Sequence, residues 1–212
     1  GETETLITAD AIKINVDGTN VKSLRVDGNV IAANTGVRID NTNASYALSG
    51  LSVSNNRFRG AIATTIDTAG NVYDCKIDGN TGVGIGTSNG LAVGAEVSCL
   101  EYYNFSVSNN DFLLSNNLAP ATGIEFISTS NYNPGVGIRV LQNLKIDNNQ
   151  INLLEVNTTV LSGTRGIDVK INEANSGISV CNNDINFYNA TNSPTVEAIC
   201  GIRLYTETTY NS

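Results

Sequence analysis

One eight-residue pattern recurs six times along this chain, and each copy carries asparagine at its sixth position. Two similar octamers can arise by chance, but six in one register indicate a repeat architecture, which constrains the fold more than any other pattern does. The six copies are LRVDGNVI (24–31), LSVSNNRF (51–58), CKIDGNTG (75–82), FSVSNNDF (105–112), LKIDNNQI (144–151) and ISVCNNDI (178–185).

The first half of each octamer has the alternation of a half-buried strand. In the copy at 105–112, Phe105 and Val107 flank Ser106, and the other copies keep the same order of apolar, polar and apolar residues. Side chains of a strand point alternately to its two faces, so this pattern predicts one buried and one exposed face. The third position holds only Val or Ile, which suit a pleated surface.

The fifth position accepts only Gly or Asn, two residues that tolerate a positive φ. We therefore expect a sharp bend after each strand, and then, in all copies but the third, an apolar residue that returns to the interior. Identical amides at equivalent places of stacked repeats form hydrogen-bonded ladders. Such a ladder is expected for the six sixth-position residues, which are Asn29, Asn56, Asn80, Asn110, Asn149 and Asn183.

A second short strand, preceded by Gly, follows most of the octamers. Third-position residues of successive octamers are 27, 24, 30, 39 and 34 residues apart, so the connections vary in length while the strands recur. No helical period is sustained, and the pattern predicts an all-β parallel solenoid of about six coils, each burying its apolar face against its neighbours. The second strands are GVRID (36–40), a weaker match AIATT (61–65), GVGIG (82–86), GIEFI (123–127), GIDVK (166–170) and GIRLY (201–205).

The length of 212 residues suits a single domain, with an opening segment over 1–20 and the repeats over 21–205. The chain contains no Met, and it stops shortly after the strand-like GIRLY without a capping segment. An uncapped solenoid end exposes strand edges and core. We therefore expect a module of a larger protein that continues, docks to flanking domains or forms a homotrimer.

Composition excludes several classes of function. A net charge of −8 with scattered Lys and Arg argues against nucleic acid as a partner. The absence of His excludes Ser–His–Asp triads and zinc sites with His ligands. The four cysteines form no Cys-x-x-Cys pair, so a cysteine zinc site is not predicted either, and we expect no metal and no cofactor. Their spacing leaves disulfide pairing open. No run of 18 apolar residues predicts a membrane span.

Two segments, 87–104 and 128–143, read as insertions that lengthen their coils and carry candidate carbohydrate-binding residues. Exposed tyrosines offer a sugar both a flat apolar face and a polar tip, and they can equally fold down to cover the flank of the solenoid. The candidates for glycan contact are Tyr102, Tyr103, Tyr132 and Arg139.

A candidate catalytic group comes from the residue that follows each Gly-Ile or Gly-Val pair. This position gives the column Arg38, Ala63, Gly84, Glu125, Asp168 and Arg203. With strands about 4.8 Å apart, Glu125 and Asp168 become neighbours and Arg203 lies next to Asp168. Two carboxylates at about 5 Å fit a retaining glycosidase, and their repulsion raises one pKa. The alternative is a solvated face with an ordinary Asp168–Arg203 pair, and Arg139 competes for the slot of Glu125.

The octamers and the Gly-preceded strands resemble the right-handed parallel β-helix superfamily, the pectin-lyase-like fold, over roughly residues 20–205. The acidic, His-free composition rich in Asn, Ser and Thr is similar to that of phage tailspike and tail-fibre shafts. This resemblance implies an extracellular or virion-surface homotrimer that binds, and sometimes cleaves, host surface polysaccharide. Three hypotheses follow: a glycan-binding or virion-structural module, a polysaccharide hydrolase or lyase, and a structural adhesin-type stalk.

Overall fold

The computed structural model describes residues 7–85, 92–99, 101–115, 121–127, 140–154, 164–171, 175–188 and 199–206. Across these ranges the protein is all-β, as the alternation predicted, and every strand pair is parallel. Within the same ranges, no helix has the length and hydropathy needed to cross a membrane.

Equivalent strands of successive repeats pair with one another and form three ladders. The first ladder contains the opening strand of each octamer. In the first two repeats this part of the chain forms two short strands, and from the third repeat onward it forms one longer strand. Its members are β2 (Val21–Lys22), β3 (Arg25–Asp27), β5 (Leu48–Ser49), β6 (Ser52–Ser54), β9 (Asn71–Asp78), β12 (Glu101–Ser108), β15 (Val140–Asp147) and β18 (Asn175–Cys181).

The second and third ladders share one long strand, β4 (Val30–Asn41), and so belong to one sheet. The second ladder continues from the start of β4 with the strands that follow each bend: β7 (Arg57–Arg59), β10 (Thr81–Ile85), β13 (Asp111–Ser115), β16 (Gln150–Leu154) and β19 (Asp184–Phe187). The third ladder runs from β1 (Ile7–Asn15) through the end of β4 to β8 (Ile62–Thr68), β11 (Ala92–Ser98), β14 (Ala121–Ile127), β17 (Thr164–Ile171) and β20 (Ile199–Thr206).

The bend after each first-ladder strand has the predicted conformation. All six fifth-position residues have φ between 54° and 70°. Only Gly, and Asn among common side chains, enters this region at low cost, which explains the restriction of the column. These residues are Gly28, Asn55, Gly79, Asn109, Asn148 and Asn182.

The predicted asparagine ladder is confirmed. The side-chain amide nitrogen and the backbone N–H of Asn80 both donate to Oδ1 of Asn110, at 3.0 Å each, and Asn110 donates in the same way to Asn149. From the second octamer onward, each amide also donates to a carbonyl of the preceding repeat, as Asn110 does to Ile77 at 3.1 Å. The same bonds join Asn29 to Asn56, Asn56 to Asn80 and Asn149 to Asn183. Because the central amides are buried, the ladder satisfies polar groups that would otherwise be costly inside the protein.

The apolar side chains of the three ladders face one interior. An aromatic group lies at its centre, where Tyr102, Phe105 and Phe126 meet edge to face with ring centroids 5.4–6.0 Å apart. The hydroxyl of Tyr102 donates to the carbonyl of Val97 at 2.9 Å, so even this polar atom is satisfied inside. The four cysteines are free thiols, which answers the question of pairing that their spacing left open.

One of the predicted second strands belongs elsewhere. Residues 82–86 were expected to join the Gly-preceded strands, but β10 pairs with β7 and β13 and is therefore a second-ladder strand. The third-ladder strand of that repeat is β11, which lies inside the segment 87–104 that the sequence suggested was an insertion. The prediction was wrong because two Gly-Val pairs, at 82–83 and 36–37, look alike but follow the bend at different distances.

Candidate functional site

The outward face of the third ladder carries a row of charged side chains. Glu96 pairs in register with Glu125, Glu125 with Asp168, and Asp168 with Arg203. We call Glu96, Glu125, Asp168 and Arg203 the acidic row. The neighbours predicted for Glu125, Asp168 and Arg203 are therefore correct, and Glu96 adds a third carboxylate that the sequence reasoning missed.

Two residues of the column predicted to face outward, Ala63 and Gly84, do not belong to it. Thr65 and Glu96 occupy the places that were assigned to Ala63 and Gly84. Ala63 is buried, because AIATT was matched to GVRID two residues out of register: Val37 pairs with Thr64, so Thr65 takes the place next to Arg38. Gly84 lies in β10 of the second ladder. Pairing β11 rather than β10 with β14 would have revealed Glu96 in the motif VGAEV (93–97), which also has a Gly followed by alternation.

Glu125 has the most perturbed acidity of the row. Partial burial raises its pKa to about 7, and the charges of Glu96 and Asp168 on either side push in the same direction, while Arg203 and Arg165 oppose them. The pKa of Glu96 is also raised, mainly by burial and then by Asp67. A carboxyl group in this setting holds its proton near neutral pH and can donate it.

Asp168 is in a different state, because it is paired. It is 5% exposed and accepts a hydrogen bond from Nε of Arg203 at 2.8 Å, with a second bond from the same guanidinium. This bond to Asp168 raises the pKa of Arg203, and the guanidinium also lies 4.2 Å from the ring centroid of Tyr205. The row thus places a carboxyl group with a pKa of about 7 beside a carboxylate that is paired with an arginine.

A buried hydroxyl lies next to the acidic row. Ser98 follows Glu96 by two residues on the same face and pairs in register with Asp67. Its Oγ is buried and has no hydrogen-bond partner among the described residues. In the part of the chain that the structure describes, no group of three or more His, Cys, Asp or Glu side chains has metal-binding geometry.

The tyrosines proposed for glycan contact have different environments. Tyr102 is fully buried, so its predicted role at the surface is wrong: the alternation of β12 turns it into the aromatic core. Tyr103 faces outward and stacks on Tyr73 of the preceding repeat, with ring centroids 5.0 Å apart and ring planes 13° from parallel. Tyr132 and Arg139 lie outside the described residues.

Tyr73 and Tyr103 are held in place by their polar neighbours. Oε2 of Glu101 accepts hydrogen bonds from Nδ2 of Asn71 at 2.8 Å and from the hydroxyl of Tyr103 at 3.2 Å. The amide of Asn71 also donates to the hydroxyl of Tyr73 at 3.0 Å. These bonds fix both hydroxyls and leave the two rings stacked on the outer face of the first ladder, partly exposed.

A second column of bends runs beside the tyrosines. It precedes each octamer by one residue, and all its members have φ between 52° and 71°: Ser23, Gly50, Asp74, Asn104, Asn143 and Gly177. Three of them form an exposed chain of side chains, in which Asn104 donates to Asp74 at 2.8 Å and Asn143 donates to Asn104 at 2.9 Å. We call Asp74, Asn104 and Asn143 the outer polar ladder. Its signal in the sequence is a turn-forming residue before every octamer.

The outer polar ladder ends at an open cavity of about 390 Å³, which we call the outer groove. In its floor, Lys145 lies between Ser106 and Ser179 of the neighbouring strands, and Nζ of Lys145 is 2.9 Å from a carboxylate oxygen of Asp147. The residues that line the groove are Asn104, Phe105, Ser106, Asn143, Leu144, Lys145, Gly177 and Ser179.

Comparison of the chain with family models, with curated proteins and with solved structures gave no match. What the protein binds or catalyses therefore has to follow from its two polar surfaces, the acidic row on the third ladder and the outer groove with its tyrosines on the first.

Proposed function

We propose that this chain is a right-handed parallel β-helix of about six coils that binds a cell-surface glycan, in the manner of phage tailspike and tail-fibre shafts. Parallel pairing of equivalent strands and the buried asparagine ladder support the architecture. One observation carries the function. The stacked rings of Tyr73 and Tyr103 lie on the outer face beside a regular array of amides and hydroxyls.

The chemistry of this face suits a saccharide. A tyrosine ring gives the C–H face of a sugar an apolar surface, and its hydroxyl gives a polar contact. Amides and hydroxyls repeated at the strand spacing of about 4.7–4.9 Å offer donors and acceptors along the stack. Because these groups stand on paired strands, little conformational entropy is lost on binding, which favours affinity.

Glycan binding is tested with immobilised bacterial surface polysaccharides and the Tyr103→Ala variant. Removal of a stacking ring is expected to weaken binding by roughly fivefold, about 1 kcal/mol. Tyr188→Ala is the matched control, because Tyr188 is an exposed tyrosine that follows β19, on another part of the stack. If neither variant differs from the unmodified protein, the tyrosine surface does not bind the glycan.

Association into a homotrimer accompanies this proposal. At the last described third-ladder strand, Ile202 and Leu204 continue the inward columns of Ile167 and Val169, yet they are 47% and 51% exposed. Apolar side chains of this size favour a covering partner. Three copies would also present three glycan sites at once, which raises avidity for a polymeric ligand.

The acidic row favours a second candidate function, polysaccharide hydrolysis. Glu125, with a pKa of about 7, protonates the leaving oxygen of a glycosidic bond, while Asp168, held by the guanidinium of Arg203, stabilises or attacks the anomeric carbon. Glu125 and Asp168 are register partners on adjacent strands, and the strand spacing of about 4.8 Å is close to the carboxyl separation of about 5–5.5 Å in retaining enzymes.

The hydrolase candidate is tested by the release of reducing ends from the polysaccharide that the protein binds. Glu125→Gln keeps the size of the side chain and removes the acid, so the rate is expected to fall by about 100-fold or more. Asp111→Asn, which changes an exposed carboxyl on the second ladder, is the control and should keep full activity. Unchanged polymer length with the unmodified protein would contradict the hydrolase candidate and leave glycan binding intact.

A further inference from the structure

The outer groove lies beside a residue that lacks a side chain, Gly177. The column of the second bend carries Asp or Asn in three successive repeats and Gly in the sixth. A Cβ added at Gly177 would lie 2.7 Å from Oδ1 of Asn143. This oxygen therefore faces the space that a sixth polar side chain would fill, and the hydrogen-bonded ladder that Asp74 begins stops at the groove.

The charges around the groove are already balanced. Lys145 is paired with Asp147, whose side chain is only 7% exposed. The equivalent positions of other repeats have the same arrangement, since Lys76 lies 3.9 Å from Asp78 and Arg25 lies 3.5 Å from Asp27. No excess positive charge is therefore available for a carboxylate, sulfate or phosphate, and the net charge of −8 repels anionic polymers.

The remaining groups are those that bind hydroxyls. Ser106 and Ser179 offer a hydroxyl on each side of Lys145, and Asn104 and Asn143 offer amides on neighbouring strands. The volume of about 390 Å³ lies within the range of small-ligand sites, about 300–1,000 Å³. The groove also adjoins the tyrosine stack, because Tyr103 directly precedes Asn104.

We infer that the outer groove is the glycan site of this protein and that it takes an uncharged saccharide. The inference rests on the proposed glycan-binding function and adds to it the place of binding and the class of sugar. Asn143 and Lys145 supply the main hydrogen bonds, and the missing side chain at Gly177 supplies the space.

Gly177→Asn tests the place of binding. The column accepts Asn at the same backbone conformation in two neighbouring repeats, so the variant should fold and extend the ladder into the groove. It is expected to weaken binding by at least tenfold. Gly50→Asn is the matched control, because Gly50 has a similar φ of 65° but lies two repeats from the nearest groove residue, and its binding should be unchanged.

The class of sugar is tested with neutral oligomers of glucose, galactose, mannose and N-acetylglucosamine against oligogalacturonate and oligosialate. We expect measurable binding of at least one neutral oligomer and none of the acidic ones. Asn143→Gly, which keeps the bend and removes the amide, serves as a second variant and should also weaken binding. Preference for an acidic oligomer, or full binding by Gly177→Asn, overturns the inference while glycan binding stands. Binding of no saccharide at all overturns both.

Discussion

At the scale of single residues, Asn110 shows why the octamer repeats. Its amide donates to Asn149 and to the carbonyl of Ile77, and its Oδ1 accepts two bonds from Asn80. Asn110→Ala leaves several of these buried groups without partners, and the free energy of unfolding should fall by about 1–3 kcal/mol. Urea denaturation measures the loss. Ser106→Ala, on the outer face, is the control and should change the free energy of unfolding by less than about 0.5 kcal/mol. An equal loss in the two variants would contradict a structural role for the asparagine ladder.

Glu125 gives the protein a specific pH dependence. Because its folded-state pKa of about 7 lies above the ordinary value of 4.5, the folded state binds this proton more tightly than the unfolded chain does. The stability that Glu125 contributes is therefore present below about pH 4.5 and is lost as the pH rises through 7. The loss is of the order of 3 kcal/mol at most.

Thermal unfolding of Glu125→Gln from pH 4.5 to 8 measures this contribution. The variant should be more stable than the unmodified protein at pH 8 and should show a flatter profile across the interval. Glu101→Gln provides the comparison. A variant whose profile is parallel to that of the unmodified protein would mean that Glu125 ionises as an ordinary surface carboxyl.

At the scale of elements, a packing constraint explains the glycine before most third-ladder strands. A Cβ at Gly123 would lie 2.5 Å from the carbonyl oxygen of Gly166, so neighbouring repeats approach too closely for a side chain. Gly123→Ala should lower the free energy of unfolding by about 1–3 kcal/mol, the usual effect of overpacking. Gly201 occupies the equivalent position of the last described repeat and has nothing within 4 Å. Gly201→Ala should therefore be neutral in the same assay, and a comparable loss would refute the close approach as the cause.

Local chemistry decided which elements the sequence could predict. Three features could be predicted without a structure: the octamer strand, the bend at positions such as Asn109 and the amide ladder. Each of them depends on a narrow choice of residue types at a fixed position. The register of the third ladder required long-range pairing. Glu96 was missed because the Gly-Val pair at 82–83, which belongs to β10 of the second ladder, was taken for the third-ladder strand of that repeat in place of β11. Tyr102 was misplaced because two adjacent tyrosines alternate, and only the packing with Phe126 decides which one turns inward.

At the scale of the whole molecule, exposed apolar side chains at one end predict association. For the homotrimer proposed above, light scattering should give a mass near three times the 22.3 kDa of one chain. Leu204→Glu introduces a charge at a position that is 51% exposed, so the monomer should still fold while the trimer dissociates. A protein that is monomeric before any substitution would contradict the trimer.

The repeated and the unique parts of the chain have different roles. The asparagine ladder and the bends occur in every repeat and hold the strands in register, whereas Gly177 and the Tyr73–Tyr103 stack distinguish particular repeats. Binding should therefore depend on the unique residues and stability on the repeated ones.

The most direct test maps the bound saccharide on the protein. Backbone amide chemical shifts are recorded by NMR with and without a neutral oligosaccharide selected from the panel. Changes are predicted to cluster at Asn104, Asn143, Lys145 and Gly177, around the outer groove, and to spare Glu125 on the third ladder. A cluster of changes centred on the acidic row, with the groove unaffected, would contradict the account.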